Sequence, residues 1–380
     1  METRLFKQIQ RAYGFDEVAI APGLVTLNPE FSDTSFSIGE HRFEIPLIAS
    51  AMDAVVSPNF AGHMSSSGGF GVLNLEGIWT RYQDAESILQ EISNTPLEKI
   101  TTLFQKLYSQ PIKNTLIEQR IKEIKSTGAI AAVSITPQRT KQFSKMLVEA
   151  GVDILVVQAT VTTARHTSKS ERGLILSDLV NELDIPVIVG NCATYDVAME
   201  LMKEGIHGLL VGIGPGAACT TREVVGVGIP QITATLECAA AREDYYNQTG
   251  RYVPIITDGG IRTGGELCKA LVAGADGAML GTPFAQASEA PGLGYNWGMA
   301  TPDPALPRGT RINVGTRGSL KEILFGPSLL TDGTMNFIGA LKVCMGMVGA
   351  ANIRELQQAN LIYAPDIKSE GKTFQAAQKA

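Results

Sequence analysis

The sequence predicts an α/β protein that folds as a single (β/α)8 TIM barrel. Eight short runs of β-branched and other apolar residues recur along the 380-residue chain, each bounded by Gly, Ser, Asn or Asp. Such runs are typical of parallel strands that are buried on both faces. Helical patterns lie between the runs, and this alternation predicts either a barrel or a doubly wound sheet. We favour the barrel, because no GxGxxG motif opens a helix after the first strand.

The predicted strands occupy, in order, residues 43–50, 68–74, 129–135, 153–159, 185–191, 208–213, 253–259 and 277–282. Two of the intervening helices carry clear end signals. After strand five, Ala198 and Met202 share the apolar stripe of a helix that we expect to stop before Gly205. After strand seven, Thr263 and Glu266 have the spacing of a capping box.

Three stretches extend a minimal barrel. Residues 76–127 carry two charged helical patterns, which predict an elaborated connection between strands two and three. Residues 287–326 are rich in Gly and Pro and predict a long loop after strand eight. The tail from about residue 350 contains one short helical pattern and a polar end. We therefore expect one catalytic domain over residues 1–380.

Composition and charge narrow the class of function. Hydrophobic residues make up 44% of the chain, enough for a large core, and the net charge of −6 does not favour a nucleic-acid partner. No apolar run approaches the roughly 20 residues of a membrane helix, and the first residues show no signal-peptide pattern. The five Cys are scattered without a CxxC pair and accompany only four His, which favours reduced thiols over a zinc site. We expect a cytoplasmic protein.

The most informative segment is GIGPGAACTTR, residues 212–222, which follows strand six. It has neither helical nor strand periodicity, and the irregular stretch continues to about Gly228. Long irregular loops in compact domains are usually functional, and barrel active sites lie where strands end. Cys219 stands in the middle of this loop near Arg222, a cation that would favour a thiolate nucleophile. The alternative is that Cys219 is a small buried filler.

Two glycine-rich strand ends predict a phosphate site. DGG, residues 258–260, follows strand seven, and GT, residues 281–282, follows strand eight. Backbone amides can approach a phosphate closely beside glycine, and barrels commonly bind phosphate at these two strands. Asp258 could accept hydrogen bonds from ribose hydroxyls, although the residue could instead hold the turn.

At these motifs the chain resembles the IMP dehydrogenases and GMP reductases. The segments that carry the resemblance are SAMD (50–53), GNCAT (190–194), GIGPGAACTTR (212–222), DGGIRTGG (258–265) and WGMAT (297–301). The resemblance spans nearly the whole chain and is closest to compact bacterial IMP dehydrogenase-related proteins without CBS domains. Longer relatives insert two CBS modules between strands two and three, and the connection 76–127 is too short for them.

The resemblance implies NAD-dependent oxidation of IMP to XMP in guanine nucleotide synthesis. Cys219 would attack C2 of the purine, hydride would pass to NAD, and water near Thr221 would release XMP from the thioimidate. The family assembles as tetramers or octamers. The alternatives are a GMP reductase that uses NADPH, a nucleotide-binding barrel with little turnover, and an FMN-dependent barrel enzyme.

The resemblance also assigns residues position by position. The implied substrate contacts are Ser50, Met52, Asn191, Gly216, Asp258, Gly259, Gly260, Gly281, Thr282, Gly298 and Met299. The implied cofactor contacts are Gln158, Gly212 and Gly214. A monovalent cation such as K+ would be held by Gly214, Gly216 and the Cys219 carbonyl, together with Glu370 and Gly371 from a neighbouring subunit.

Two single positions depart from the family pattern. Ala217 stands where the family has a phosphate-contacting Ser, and Gln158 stands where an Asp binds the nicotinamide riboside.

The flap, residues 300–311, is short and lacks the Arg-Tyr pair whose Arg activates water in relatives. Arg308 and Arg311 are the nearby candidates for that role. GMP reductases use a Glu in this region, and none occurs between Glu289 and Glu322, which favours the dehydrogenase.

Overall fold

The computed structural model describes residues 9–167 and 174–367. Eight parallel strands form a closed barrel in chain order, so the predicted (β/α)8 fold is confirmed. The barrel strands are β1 Leu47–Ala49, β2 Phe70–Asn74, β3 Ala132–Ile135, β4 Ile154–Gln158, β5 Val187–Cys192, β6 Gly208–Val211, β7 Ile255–Asp258 and β8 Gly277–Leu280. Each lies in a predicted run, and only β5 continues one residue beyond it.

Helices surround the barrel and extend it. They are α1 Pro58–Ser66, α2 Ala85–Asn94, α3 Leu97–Tyr108, α4 Asn114–Ser126, α5 Pro137–Glu149, α6 Leu176–Glu182, α7 Tyr195–Lys203, α8 Thr221–Val225, α9 Gln231–Thr249, α10 Gly264–Val272, α11 Thr282–Ala285, α12 Leu320–Phe325, α13 Phe337–Val348 and α14 Ile353–Leu356. Within the described ranges, no helix is both long and apolar enough to cross a membrane.

The barrel strands are apolar on both faces because each face has its own core. Inward-facing side chains such as Ile48, Val72 and Met279 pack in the barrel interior. Their strand neighbours point outward and pack against the helices. A short hairpin, with strands Phe36–Ile38 and His41–Phe43, adds phenylalanines to the inner cluster. Burial on both sides therefore explains the near-continuous apolar runs.

The connection between β2 and β3 differs from its prediction. The first of the two expected helical patterns is split into α2 and α3. Pro96 lies at the split with extended backbone angles, and proline cannot donate the hydrogen bond that would continue α2. The insert therefore contains three helices, α2, α3 and α4.

Two further segments that were predicted to be mostly irregular contain regular secondary structure. The loop 287–326 contains a short strand pair, Tyr295–Asn296 with Ile312–Asn313, and ends in α12. The tail contains α14, as expected, and then a strand, Leu361–Tyr363, that pairs antiparallel with Val18–Ile20. The sequence did not predict this strand pair, because its two members lie near opposite ends of the chain.

The expected capping box before α10 is only half present. The Thr263 hydroxyl accepts a hydrogen bond from the Glu266 N–H at 3.3 Å, as a helix cap should. The Glu266 carboxylate does not return to Thr263 but accepts the Arg262 N–H at 2.6 Å.

A buried ion pair joins α9 to the amino-terminal end of the barrel. The Arg242 guanidinium donates to Asp276 Oδ2 at 2.7 Å, and the two side chains are only 2% and 8% exposed. The same carboxylate oxygen accepts the Ile255 N–H at 2.8 Å, which links β7 to the residue before β8. This end of a barrel serves stability, whereas the opposite end carries function.

We expect Arg242→Met to lower the free energy of unfolding by about 3–5 kcal/mol, because the buried Asp276 carboxylate would lose its cationic partner. Urea unfolding measures this loss. Arg354→Met is the matched control, since Arg354 is 46% exposed in its ion pair with Glu243 and should cost no more than about 1 kcal/mol. Equal losses in the two variants would contradict the role given to the buried pair.

Candidate active site

One cleft of about 810 Å³ lies at the carboxyl ends of the strands. Each of the eight strands supplies its wall with one residue, either from the strand itself or from the position directly after it, in the order Ser50, Asn74, Thr136, Gln158, Asn191, Gly212, Asp258 and Gly281. Its volume lies in the upper part of the roughly 300–1,000 Å³ range of small-molecule sites. The position matches the face on which barrel enzymes carry their active sites.

A hydrogen-bonded cluster occupies one wall of the cleft. Asp258 Oδ2 accepts from the Asn191 side-chain amide at 2.8 Å and from the Gln158 amide at 3.0 Å. The Gln158 nitrogen also donates to the Asn191 side-chain oxygen at 3.0 Å. Both side-chain amides therefore point their N–H groups at Asp258, and its carboxylate is held in one orientation.

Burial raises the pKa of Asp258 to about 6, although the hydrogen bonds from Asn191 and Gln158 act in the opposite direction. At neutral pH the group is a carboxylate that is poorly solvated. Such a group gains from hydroxyl donors on a ligand, because they replace the water it has lost.

Cys219 borders the cleft on the loop that follows β6. Its thiol is half-buried and donates to the Thr221 hydroxyl oxygen at 3.1 Å. Thr221 is the first residue of α8, so the predicted irregular stretch is interrupted by this short helix. The Arg222 guanidinium donates to two backbone carbonyls, those of Ile213 and Ile229, and so braces the loop.

The flap lies against the Cys219 loop. The backbones of Gly309 and Cys219 form an isolated antiparallel β-bridge, and the Thr310 N–H donates to the Ala218 carbonyl at 3.1 Å. Arg308 borders the cleft, and its guanidinium lies 3.8 Å from the Asp303 carboxylate.

The structure places Arg311 away from this position. Its side chain is 8% exposed, donates to the carbonyls of Ile92 and Ser93, and stacks on the Tyr295 ring at 4.3 Å. Its guanidinium therefore serves the packing of α2 rather than the cleft.

The glycine-rich strand ends border the cleft as expected. Gly259 and Gly260 have φ values of +83° and +79°, which non-glycine residues rarely adopt. The Gly259 N–H already donates to the Met279 carbonyl at 3.1 Å. Gly260, Gly281 and Thr282 are therefore the better candidates for a phosphate.

The cleft gathers most of the residues that the sequence singled out. Those that border it are Ser50, Met52, Gln158, Asn191, Gly212, Gly214, Gly216, Cys219, Asp258, Gly259, Gly260, Gly281, Thr282, Gly298, Met299 and Arg308. Thr221 lies behind Cys219 and is buried. Glu370 and Gly371 lie outside the described residues.

The sequence did not identify a second carboxylate in the cleft. Asp53 is 2% exposed and accepts hydrogen bonds from the Tyr108 hydroxyl at 2.6 Å and from the Ile78 N–H at 3.0 Å. Burial raises its pKa to about 6, opposed by these bonds and by the charge of Arg81. The position of Asp53 just after β1 could have drawn attention to it, but nothing local in the sequence identifies Tyr108 as its partner.

Residues 12–298 match the family model described as the IMP dehydrogenase / GMP reductase domain. An uncharacterized oxidoreductase of Mycobacterium tuberculosis is 36% identical over 370 residues, which covers 95% of this chain and 99% of that protein. The inosine-5'-monophosphate dehydrogenase of Cryptosporidium parvum is 29% identical over 393 residues, covering 92% of this chain and 91% of that protein.

Solved structures extend this similarity to the fold. An IMP dehydrogenase/GMP reductase-like protein from Corynebacterium glutamicum has a TM-score of 0.90 and 32% sequence identity. The match covers 96% of this chain and 97% of that protein. The similarity is therefore not confined to the barrel strands.

The raised pKa of Asp258 predicts a pH-dependent stability cost. Folding favours the neutral acid, so the cost is absent below the unfolded pKa of about 4 and complete above the folded pKa of about 6. Asp258→Asn should therefore raise Tm at about pH 8 and lose this advantage at about pH 4. Calorimetry at both pH values measures the difference, with exposed Asp184→Asn as the control. A Tm difference that does not change with pH would contradict this account of the charge.

Proposed function

The chain belongs to the IMP dehydrogenase / GMP reductase family of oxidoreductases, and from this premise we propose that it oxidises IMP to XMP with NAD, in guanine nucleotide synthesis. The observation that carries the proposal is the shared cleft. The half-buried thiol of Cys219, the half-buried carboxylate of Asp258 and the glycine turns at the ends of β7 and β8 all border it.

We place the IMP phosphate at Gly260, Gly281 and Thr282, where glycines let a ligand approach the backbone. The ribose hydroxyls would donate to Asp258, which Asn191 and Gln158 hold in place. The purine would then extend along the cleft toward Cys219. Ser50, Met52, Gly298 and Met299 border the same cleft and are the proposed contacts of the base.

In the proposed first step, the Cys219 thiol gives its proton to water and its sulfur bonds to C2 of the purine. The C2–H bond breaks with its electron pair, and NAD, when bound, accepts this hydride. The product on the enzyme is a thioimidate. The thiol hydrogen bond to Thr221 orients the sulfur before the attack.

Thr136 and Glu76 also line the cleft, and we propose that the dinucleotide binds on their side of it. Gln158, Gly212 and Gly214 are its proposed contacts. The Gln158 nitrogen is committed to Asp258 and Asn191, so this side chain can offer a ligand only its carbonyl oxygen. A neutral acceptor thus stands where the resemblance implies a carboxylate.

In the second step, water adds to C2 and the Cys219 sulfur leaves, which releases XMP. The catalytic groups proposed for water are Thr221 and Arg308. Arg308 borders the cleft, where its guanidinium lies 3.8 Å from the Asp303 carboxylate, and arginine stays protonated in proteins. We therefore propose that Arg308 orients the water and stabilises developing negative charge, and that the Thr221 hydroxyl, 3.1 Å from the Cys219 sulfur, passes the proton of the water to that departing sulfur.

A monovalent cation, K+, is proposed at the base of the Cys219 loop. Carbonyl oxygens of Gly214, Gly216 and Cys219 are the donors that such an ion takes. The Gly216 carbonyl already accepts the Cys219 N–H at 3.1 Å and keeps one lone pair. A homo-oligomer, tetramer or octamer, would let Glu370 and Gly371 of a neighbouring copy complete the site.

Cys219→Ser should bind IMP and lose turnover, because a hydroxyl is a far weaker nucleophile at neutral pH. Calorimetry measures IMP binding, and the absorbance of NADH measures turnover with IMP and NAD. Cys344→Ser is the control, since Cys344 is a free thiol on α13 outside the cleft. Normal turnover in the Cys219 variant would end the covalent mechanism.

Arg308→Ala should leave the first burst of NADH intact and slow the release of XMP, because the side chain acts on water rather than on hydride. Stopped-flow absorbance with intact-mass measurement would show the enzyme–nucleotide adduct accumulating. The control is Arg317→Ala, which breaks an ion pair with Asp332 outside the cleft. Loss of the burst itself in Arg308→Ala would assign Arg308 to binding or hydride transfer instead.

A further inference from the structure

We propose that the inserted helices α2 and α3 position the flap, residues 300–311, and thereby set the place of Arg308 at the cleft. The contacts between these helices and the flap do not depend on the proposed function. Only the expected effect on catalysis rests on the proposed function.

The first contact is at the start of the flap. The Trp297 indole N–H donates to the Tyr108 hydroxyl at 2.8 Å, and that hydroxyl donates to Asp53 Oδ2 at 2.6 Å. The Trp297 ring also packs on Phe104 of α3, with ring centroids 5.3 Å apart. Tyr108 therefore links the segment after β1 to the segment that leads into the flap.

The second contact is in the middle of the flap. Gln105, one helical turn before Tyr108 on α3, donates from its side-chain amide to the Asp303 carbonyl at 3.5 Å. Asp303 also organises the flap itself, because its carboxylate accepts the N–H groups of Ala305 and Leu306. The same carboxylate is the ion-pair partner of Arg308. A change in the position of Asp303 would therefore move Arg308.

The third contact is at the end of the flap. Arg311 donates to the carbonyls of Ile92 and Ser93 in the last turn of α2. The Ile92 carbonyl also accepts the Thr95 N–H at 3.3 Å, where α2 ends. Carbonyls in a last helical turn lack their usual i+4 donors and carry the negative end of the helix dipole, so a guanidinium is a favourable partner for them. This contact explains why Arg311 points away from the cleft.

The other edge of the flap is held by the Cys219 loop. The Thr220 N–H donates to the Arg308 carbonyl at 3.4 Å, and the Thr310 N–H donates to the Ala218 carbonyl at 3.1 Å. The flap thus lies between two supports, the insert on one side and the nucleophile loop on the other. Arg308 reaches the cleft between them. The insert makes Tyr108, Gln105 and Arg311 positioning residues.

Trypsin digestion of the native protein tests this placement without any ligand. The Arg308–Gly309 bond is cleaved only when the flap leaves its supports. Tyr108→Phe keeps the ring and removes the hydroxyl, and Gln105→Ala removes the contact to Asp303. Each should raise the rate of cleavage at this bond by about fivefold, the factor for one hydrogen bond. Lys106→Ala, on the exposed side of α3, is the matched control and should not change it.

Tryptophan fluorescence supplies a second readout. The chain has two tryptophans, so a Trp79→Phe background isolates Trp297. Tyr108→Phe should shift the Trp297 emission, and Lys106→Ala should not. Unchanged cleavage and unchanged emission in Tyr108→Phe, with unchanged cleavage in Gln105→Ala, would overturn the proposal. Faster cleavage in Lys106→Ala as well would do the same, since it would indicate general loosening of α3.

The catalytic arm uses IMP and NAD. Tyr108→Phe and Gln105→Ala should lower kcat by about fivefold and leave KM for IMP nearly unchanged, because the Asp258 cluster is untouched. A rise in KM with constant kcat would contradict positioning of Arg308. If the wild-type protein shows no turnover but the cleavage pattern holds, the proposed function fails and the support of the flap by the insert stands.

Discussion

Closure of the barrel is the constraint on which the rest of the structure depends. The last strand, β8, pairs with the first, β1, through Ala278 with Leu47 and Leu280 with Ala49. Because all eight strands are parallel, closure brings every carboxyl end to one rim. Gln158 and Asp258 are 100 residues apart in the chain and meet at 3.0 Å on that rim. The cleft of about 810 Å³ at this rim is a consequence of this geometry.

The two ends of the barrel use buried charge in opposite ways. At the amino-terminal end, Asp276 is paired with Arg242 and accepts backbone and side-chain donors, which stabilises the fold. At the carboxyl end, burial raises the pKa values of Asp53 and Asp258, each to about 6. Neither of these two carboxylates forms an ion pair in the described residues. Carboxylates that are costly to bury are expected where a ligand supplies the missing donors.

Much of the fold could be predicted from the sequence, because burial on both faces leaves a strong local pattern in each strand. The Cys219 loop and the turns at Asp258 and Gly281 were also visible, since each directly follows a strand. The contacts between residues that are far apart in the sequence could not be predicted. Tyr108 meets Asp53 across 55 residues and Trp297 across 189, and no local pattern encodes such pairs. The Arg311 side chain could have pointed either way until the position of α2 was known.

The most direct test of the proposed chemistry is the mass of the Cys219 peptide during turnover. The protein is mixed with IMP and NAD, quenched with acid within the first turnover, digested and analysed by mass spectrometry. The covalent mechanism predicts a purine nucleotide bound to Cys219. Its amount should equal the NADH formed minus the XMP already released. NADH formed while Cys219 remains unmodified at every quench time would contradict it.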